Sequence, residues 1–349
     1  MYSVTQRIRN IQQPYGGYLP IRSFQTTPLN DGQYLFPWEN IHASLVGLSV
    51  DYLTRFMGGT PADKAFMISL MGAYALDCER NKQTKDSSST ESQNACFLLN
   101  KITGLDDDSI FHACQLVGYD VCFRAGSTYY QPVSTIKADS ATIHNIRIMV
   151  QRSLRFLEHY GPVVKDGFSF EGGYTHIVST GDGDFITEDT MWDFKVIKSK
   201  PSSRDTLQLL MYYLMGRHSV HPELHKIQKL GFFNPRSNIV FLLDTSKIPE
   251  EVISEVERDV ICYNPLPKED AKPAVLPKST KRNRKTADTV IVPTNDLYPI
   301  GTEIDHPIFG RGTVEKLQPC GNDHLIHVRF VDTSRKFFTS TLNRILHDS

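Results

Sequence analysis

Apolar positions in the first part of the chain recur at helical spacing. The stretch IHASLVGLSVDYLTRFM (41–57) predicts a helix that ends at Gly58-Gly59, and a second helix is predicted after the cap Thr60-Pro61. Short helices are predicted over 94–103 and 107–117. The polar, Ser-rich stretch 81–94 predicts an exposed loop.

Residues 1–39 show no clear period. They are rich in Gly, Pro and Gln, which predicts irregular or weakly stranded structure.

The middle of the chain alternates between the helical and the strand period. TIHNIRIMVQRSLRFLEHYG predicts an amphipathic helix, and GGYTHIVST, DFIT and MWDFKVI predict three strands. SSRDTLQLLMYYLMG predicts a helix capped by Ser202 or Ser203; KLGFF and SNIVFLLD predict strands, and PEEVISEVERDVICY a helix. The order α-β-β-β-α-β-β-α predicts a mixed sheet with helices on both faces.

The last part changes character twice. Residues 264–296 are rich in Pro and Lys and predict a linker, while 297–349 show short alternating runs between turns, typical of a small β-barrel. The predicted organisation is therefore a mostly helical part over 1–139, an α/β core over 140–263, the basic linker and the barrel.

Composition narrows the class of protein. The chain has 349 residues, a net charge of −1 and 40% hydrophobic residues, as in ordinary globular proteins. No apolar run approaches the roughly 20 residues of a membrane span. The start lacks the apolar core of a signal peptide, so a cytoplasmic protein without a membrane partner is expected. No two of the six cysteines form C-x-x-C, which argues against a zinc ribbon.

The net charge of the chain is near zero, but one segment is strongly basic. Residues 195–236 carry eight Lys/Arg and two acidic residues. Such a segment suits the phosphate backbone of a nucleic acid, and a solvated surface balanced by acids elsewhere is the alternative.

The stretch GDGDFITEDTMWDFK (181–195) carries the candidate chemistry. Asp184 begins one predicted strand; Asp193 and Lys195 share a face of the next, and the turn between the strands brings Asp184 beside Asp193. Two close carboxylates repel each other unless a cation neutralises them, and oxygen ligands suit Mg²⁺ or Mn²⁺. A neighbouring lysine can orient water or stabilise charge on a phosphate.

Gly181-x-x-Asp184 followed by Asp193-x-Lys195 resembles the PD-(D/E)XK nuclease superfamily. Gln208-x-x-x-Tyr212 is similar to the Q-x-x-x-Y motif of its RecB-type branch. The resemblance covers roughly 140–262 and implies a restriction-endonuclease-like fold and metal-dependent hydrolysis of DNA phosphodiester bonds. A role in phage defence, restriction or repair is implied by the family alone.

The resemblance also implies roles for individual groups. Asp184, Asp193 and the backbone carbonyl of Phe194 would hold the metal ion, and Lys195 would position or activate the attacking water. The remaining two motif residues would support the site or touch DNA: Gln208 and Tyr212.

Two points stay open in the sequence. Asp182 could replace Asp184 if the turn shifts by two residues, and Gly183 stands where the family pattern has proline. The upstream acidic or histidine ligand of the branch has three candidates: Glu158, Glu171 and His112.

The C-terminal block HPIFGRGTVEKL, followed by LIHVRFVDTSRKFF and LNRIL, resembles the Tudor-like barrel at the C-terminus of UvrD/PcrA-type helicases. The match is carried by His306, Phe309, Gly310, Gly312, Val314, Val328 and Phe330. It implies an SH3/Tudor-like barrel that contacts a protein such as a polymerase. The alternative function is therefore a non-catalytic nuclease-fold adaptor that binds DNA or a polymerase or helicase. The oligomeric state is open.

Overall fold

The computed structural model describes residues 1–84, 90–263, 298–306, 310–320, 323–330 and 334–338. The chain divides into two compact units, Met1–Asp270 and Ala271–Ser349. No helix within the described ranges is both long enough and apolar enough to cross a membrane. The predicted linker 264–296 lies outside the described residues.

The first unit contains the predicted helices and two that were not predicted, α1 (Val4–Arg9) and α7 (Asp120–Ala125). In chain order α1–α10 span Val4–Arg9, Ala43–Met57, Ala62–Ala65, Met67–Thr84, Thr90–Asn100, Asp107–Leu116, Asp120–Ala125, Ser140–Tyr160, Ser203–Arg217 and Glu250–Glu255. A π-helical segment, Val256–Ile261, continues α10. Side chains cap the two long helices of the middle part: Asp139 accepts from the Thr142 N–H before α8, and Ser202 forms a capping box with Asp205 before α9.

The strands of this unit form one large sheet and one short pair. In chain order β1–β8 span Tyr2–Ser3, Gln25–Pro28, Lys165–Phe168, Val178–Thr180, Gly183–Ile186, Thr190–Phe194, Lys229–Asn234 and Ile239–Asp244. Six of them make a mixed sheet in the order β2-β8-β7-β6-β5-β3, and β1 pairs with β4. The neighbours β6 and β7 are parallel, which requires the crossover helix α9 between them.

Helices cover both faces of the sheet, so the predicted α/β class with a mixed sheet is confirmed at this level. On one face Phe156 of α8 stacks on Phe233 with ring centroids 4.3 Å apart and meets Trp192 edge-on at 4.8 Å. On the other face Leu210 and Met211 of α9 join the cluster that contains Phe232. Burying each such ring contributes roughly 1.5–3 kcal/mol, which holds the two helices on the sheet.

The helices α2 and α4–α8 enclose a second core. Its central side chains include Val50, Leu53, Phe66, Ile110, Tyr119 and Ile146. Within it Asp120, 2% exposed, accepts from Tyr52 Oη at 2.6 Å and from Ser69 Oγ at 2.5 Å. The buried carboxylate is thus satisfied by hydroxyl donors, as buried polar groups require.

Two predicted elements were wrong. The predicted loop 81–94 is helical over its described ends, because α4 continues to Thr84 and α5 begins at Thr90. Apolar periodicity misses these turns because their sequence is polar. The second predicted helix is split into α3 and α4 and begins after Pro61, not Thr60. The helix predicted over 107–117 agrees with α6, and the helix predicted after the cap Ser202 agrees with α9.

Strand assignment was also incomplete in two places. The short segment KDGF forms β3, an edge strand that was not predicted because it has no apolar alternation. GGYTHIVST contributes only β4, which pairs with β1 and stands outside the six-stranded sheet.

The N-terminal 39 residues are more regular than predicted. Ser3 and Gln6 form a capping box that starts α1, and β2 becomes the outer strand beside β8. Pro28 is tolerated there because an edge strand leaves one side of its backbone unpaired.

The second unit contains a four-stranded antiparallel sheet within its described residues. The strands β9–β12 span Glu303–His306, Gly310–Cys320, Asp323–Phe330 and Ser334–Phe338. Gly312 faces Phe330, whose ring would lie 2.5 Å from a Cβ at that position. The glycine is therefore needed for close approach of the ring, while the register irregularity falls between Val314 and Lys316. Phe309 and the segment LNRIL lie outside the described residues.

Candidate active site

Two carboxylates from neighbouring strands meet at the carboxyl end of β6. Phe185 pairs with Trp192 in the antiparallel ladder of β5 and β6, and continuing this register by one residue brings Asp184 opposite Asp193. The Oδ2 atom of Asp184 accepts a 2.8 Å hydrogen bond from the Phe194 N–H. Asp193 is 4% exposed, and Asp184 is half-buried.

Lys195 lies on the same face as Asp193, two residues along the chain. Its Nζ is 3.0 Å from Asp193 Oδ2 and 3.6 Å from Asp205 Oδ1. The backbone N–H of Lys195 donates to the Phe233 carbonyl at 3.0 Å, which fixes the chain as it leaves the sheet. The ammonium is thus held between two carboxylates at the beginning of α9.

The α9 helix adds two polar side chains to the same point. Gln208 Oε1 is 3.5 Å from Lys195 Nζ, and Gln208 Nε2 donates to Tyr212 Oη at 2.8 Å. Gln208 and Tyr212 are four residues apart, so they stand one above the other on a single helix face. The ring of Tyr212 stacks on Phe170 with centroids 5.0 Å apart. The structure therefore brings together all five side chains that the motifs selected.

Burial and mutual repulsion govern protonation of the carboxylates. Burial, together with the charge of Asp193, raises the pKa of Asp184 to about 7. Burial also raises the pKa of Asp193, against the opposing charge of Lys195. For Lys195 burial lowers the pKa, but Asp193 and Asp205 outweigh it, so the pKa lies above the usual value for lysine. The lysine is accordingly charged at neutral pH.

Steric crowding explains why glycine occupies positions 181 and 183. A Cβ on Gly181 would lie 2.9 Å from Val4 Cγ2 and 3.2 Å from Tyr212 Cε1, so a side chain would displace the tyrosine. A Cβ on Gly183 would lie 2.2 Å from the ring of Phe168, its partner across β3 and β5. The Phe168 ring therefore leaves no room for a side chain at position 183.

The other acidic residues of the stretch have separate positions. Asp182 is exposed and precedes β5, so Asp184, not Asp182, is the one beside Asp193. Glu188 and Asp189 lie in the bend between β5 and β6, where Asp189 pairs with Lys229 at 2.8 Å.

None of the three upstream ligand candidates joins the carboxylate pair. Glu171 contacts Ser169 and His221, His112 bonds the Asp108 carbonyl on α6, and Glu158 is exposed on α8. In the described part of the chain no three His, Cys, Asp or Glu side chains stand together as a metal group.

Sequence reasoning missed the wall that α2 contributes. A cavity of about 160 Å³ beside Asp184 is lined by the last turns of α2, by β3 and by the residues before it. Arg55 crosses this wall, with Nε 3.0 Å from Asp51 Oδ1 and Nη1 2.6 Å from Asp166 Oδ2. Burial raises the pKa of Asp166, and the Arg55 guanidinium opposes that rise. Helical periodicity marks α2 as a core helix and carries no signal for this contact.

The atoms present suit a hard divalent cation. Asp193 Oδ2 is buried, and its close partner is the Lys195 ammonium, 3.0 Å away. A buried anionic oxygen of this kind favours a cation. Asp184, Asp193 and the Phe194 carbonyl offer oxygen alone, which matches Mg²⁺ or Mn²⁺; Mg²⁺ needs only one or two protein carboxylates besides water and phosphate.

Three histidines after α9 do not form such a group. His218 faces Glu257, His221 faces Glu171, and His225 bonds the Ser219 carbonyl. Each of these histidines therefore has a separate partner.

In the basic segment 195–236, some of the cationic side chains are paired with acidic residues and others are exposed. Three of its cations are held by acidic residues: Lys195, Lys229 and Arg236, the last by Glu39. Lys198, Lys200 and Arg204 are exposed near the beginning of α9.

Compared with protein-family models, with curated proteins and with solved structures, the chain gives no significant match.

Proposed function

We propose that this protein is a metal-dependent nuclease of the PD-(D/E)XK type that hydrolyses phosphodiester bonds in DNA. The observation that carries the proposal is the grouping of Asp184, Asp193 and Lys195: two carboxylates on neighbouring strands that repel each other, and a charged amine paired with Asp193. The helix-covered mixed sheet around it supports a restriction-endonuclease-like core.

The proposed metal ligands are Asp184, Asp193 and the Phe194 carbonyl. When bound, Mg²⁺ or Mn²⁺ supplies Lewis-acid stabilisation of charge on the phosphate and a more acidic water. The chain's own contribution is to hold the ligands: the Phe194 N–H fixes Asp184, and the β5–β6 register sets the spacing of the pair.

Lys195 is the proposed group at the reacting atoms. Its charged Nζ orients the attacking water and stabilises the charge that develops on the phosphate. Asp205 and Gln208 hold the amine in place, and Tyr212 holds Gln208. Gln208 and Tyr212 are positioning residues in this proposal.

The C-terminal unit is proposed to be an SH3/Tudor-like barrel that contacts a protein partner. Its small apolar core, Tyr298, Ile304, Val314, Ile326, Val328 and Phe330, and its antiparallel sheet support that proposal. A role in phage defence, restriction or repair remains part of the family resemblance.

One assay tests the nuclease proposal against a binding-only adaptor. Linear, circular and single-stranded DNA are incubated with Mg²⁺, Mn²⁺ or EDTA, alongside Lys195→Ala. Cleavage that needs the metal and disappears in the variant is expected. Cleavage that survives both EDTA and Lys195→Ala overturns the metal-site assignment, and no cleavage of any substrate favours the adaptor.

A further inference from the structure

Three aromatic side chains stand exposed on one short segment beside the site. Within residues 34–38, here called the aromatic strap, Tyr34 is 86% exposed, Phe36 45% and Trp38 58%. The rings of Phe36 and Trp38 are 6.4 Å apart, and His144 adds a ring 5.2 Å from Phe36. Single exposed apolar residues are ordinary, whereas a contiguous aromatic row marks a binding surface.

The strap is fixed from beneath by buried polar groups. The Phe36 N–H donates to Asn145 Oδ1 at 2.7 Å, and Asn145 Nδ2 donates back to the Phe36 carbonyl at 2.9 Å. Arg152, 6% exposed, donates to the Gln33 carbonyl at 2.9 Å. Leu35 turns inward onto the helical core. The backbone is therefore already fixed while the rings remain in solvent. Binding to these rings then costs little conformational entropy.

A basic edge borders the strap and connects it to the site. Lys198 Nζ donates to the Pro37 carbonyl at 3.3 Å, and Lys198 and Lys200 are both exposed. Lys198 follows Lys195 by three residues, a reach of at most roughly 11 Å between Cα atoms. Asn234 Nδ2 donates to the Ile197 carbonyl at 2.8 Å, which fixes this connection.

We propose that the aromatic strap binds single-stranded nucleic acid, with bases stacked on Trp38 and Phe36 and phosphates at Lys198 and Lys200. Every base presents a π-face to an aromatic ring, and lysines track the backbone. In a duplex those faces are covered by neighbouring bases, so a single strand or a frayed end is the preferred ligand. This inference rests on the proposed nuclease function and names its substrate class.

Binding is measured in EDTA, which separates it from cleavage. A labelled 20-nucleotide oligothymidine and a blunt duplex of the same length are titrated with the full chain. Trp38 and the buried Trp192 are the two tryptophans, so the exposed emission reports Trp38 directly. Oligothymidine is expected to bind more tightly than duplex and to quench that emission.

Variants show whether the strap is responsible. Trp38→Ala is expected to weaken oligothymidine binding roughly 5- to 150-fold, the effect of one lost base stack. Lys198→Ala is expected to weaken it and to flatten its salt dependence. Trp38→Phe keeps a stacking ring and should retain most of the affinity, and its remaining emission should not respond to DNA. Tyr129→Ala, which removes an exposed ring elsewhere, should bind as the wild type does.

Several results would overturn the inference. They are equal affinity of Trp38→Ala and wild type for oligothymidine, duplex binding as tight as single-strand binding, or binding indifferent to Lys198→Ala and salt. Metal-dependent cleavage lost in Lys195→Ala is scored separately, so the strap and the nuclease proposals can fail independently.

Discussion

The carboxylate of Asp184 accepts a 2.8 Å hydrogen bond from the backbone N–H of Phe194. This bond joins the start of β5 to the end of β6, and it holds the Asp184 carboxylate opposite Asp193. The bond favours the ionised form of Asp184, but burial and the charge of Asp193 outweigh it, and the pKa is raised to about 7. The predictions about pH and metal follow from this balance.

Asp184→Asn is expected to change how stability depends on pH. Below the ordinary pKa of 3.8 both folded and unfolded chains carry the proton; between 3.8 and about 7 only the folded chain does. The free energy of unfolding of the metal-free wild type therefore falls as pH rises through this window, by up to roughly 4 kcal/mol. Urea unfolding at pH 5 and 8 measures the part of this fall above pH 5, roughly 3 kcal/mol.

The Asp184→Asn variant lacks that titration and should lose less stability between the two pH values. Asp189→Asn, a change in the bend between β5 and β6, serves as the matched control. Its free energy of unfolding should fall between the two pH values as in the wild type. An identical pH dependence in Asp184→Asn and wild type would refute the raised pKa.

Added Mg²⁺ or Mn²⁺ is expected to raise the unfolding temperature at pH 8 and to have little effect at pH 5.5. Proton and metal compete for Asp184, so affinity increases as pH rises toward about 7. Thermal unfolding with and without the metal ion gives this shift without any cleavage assay. Loss of the shift in Asp184→Asn and its retention in Asp189→Asn are expected; a shift that Asp184→Asn preserves would exclude this residue as a ligand.

Lys195→Ala is expected to reduce cleavage by at least about 100-fold, because the amine is proposed to act at the reacting atoms. It also leaves Asp193 without its counter-charge, at a cost of roughly 3 kcal/mol in the free energy of unfolding. Lys195→Arg separates the two effects: it keeps the charge and should recover stability, but its planar fork should not recover activity. DNA cleavage and urea unfolding are measured on both variants.

Lys229→Ala provides the matched lysine control. Lys229 pairs with Asp189 at the surface, so its loss should change stability by less than about 1 kcal/mol and leave cleavage near the wild-type rate. Full activity in Lys195→Ala would contradict the assigned role.

Gly183→Ala is expected to destabilise the protein by roughly 1–3 kcal/mol, because the new Cβ would overlap the ring of Phe168. Gly47→Ala, in the middle of α2, meets only Val196 Cβ at 3.9 Å and should stabilise the protein by up to about 1 kcal/mol. Urea unfolding should show that the free energy of unfolding falls in Gly183→Ala and rises in Gly47→Ala. Equal changes would show that the Phe168 contact does not constrain position 183.

Sequence reasoning found the elements that carry the site and the residues it brings together. The alternation of β5 and β6 and the short turn between them were enough to place Asp184 beside Asp193, since side chains in a strand have a period of two. Helical spacing placed Gln208 and Tyr212 on one face of α9. These relationships are local, and local periodicity reports them directly.

The tertiary structure alone decided the surroundings of that site. Asp205 meets Lys195 only because α9 begins at the end of β6, and Arg55 reaches Asp166 only because α2 lies beside β3. Likewise, residues 1–39 gave no periodic signal, yet the segment preceding α2 is fixed as a strap by Asn145 and Arg152, far along the chain. A pattern of apolar positions records that a side chain is buried; which distant polar group meets it depends on the assembled fold.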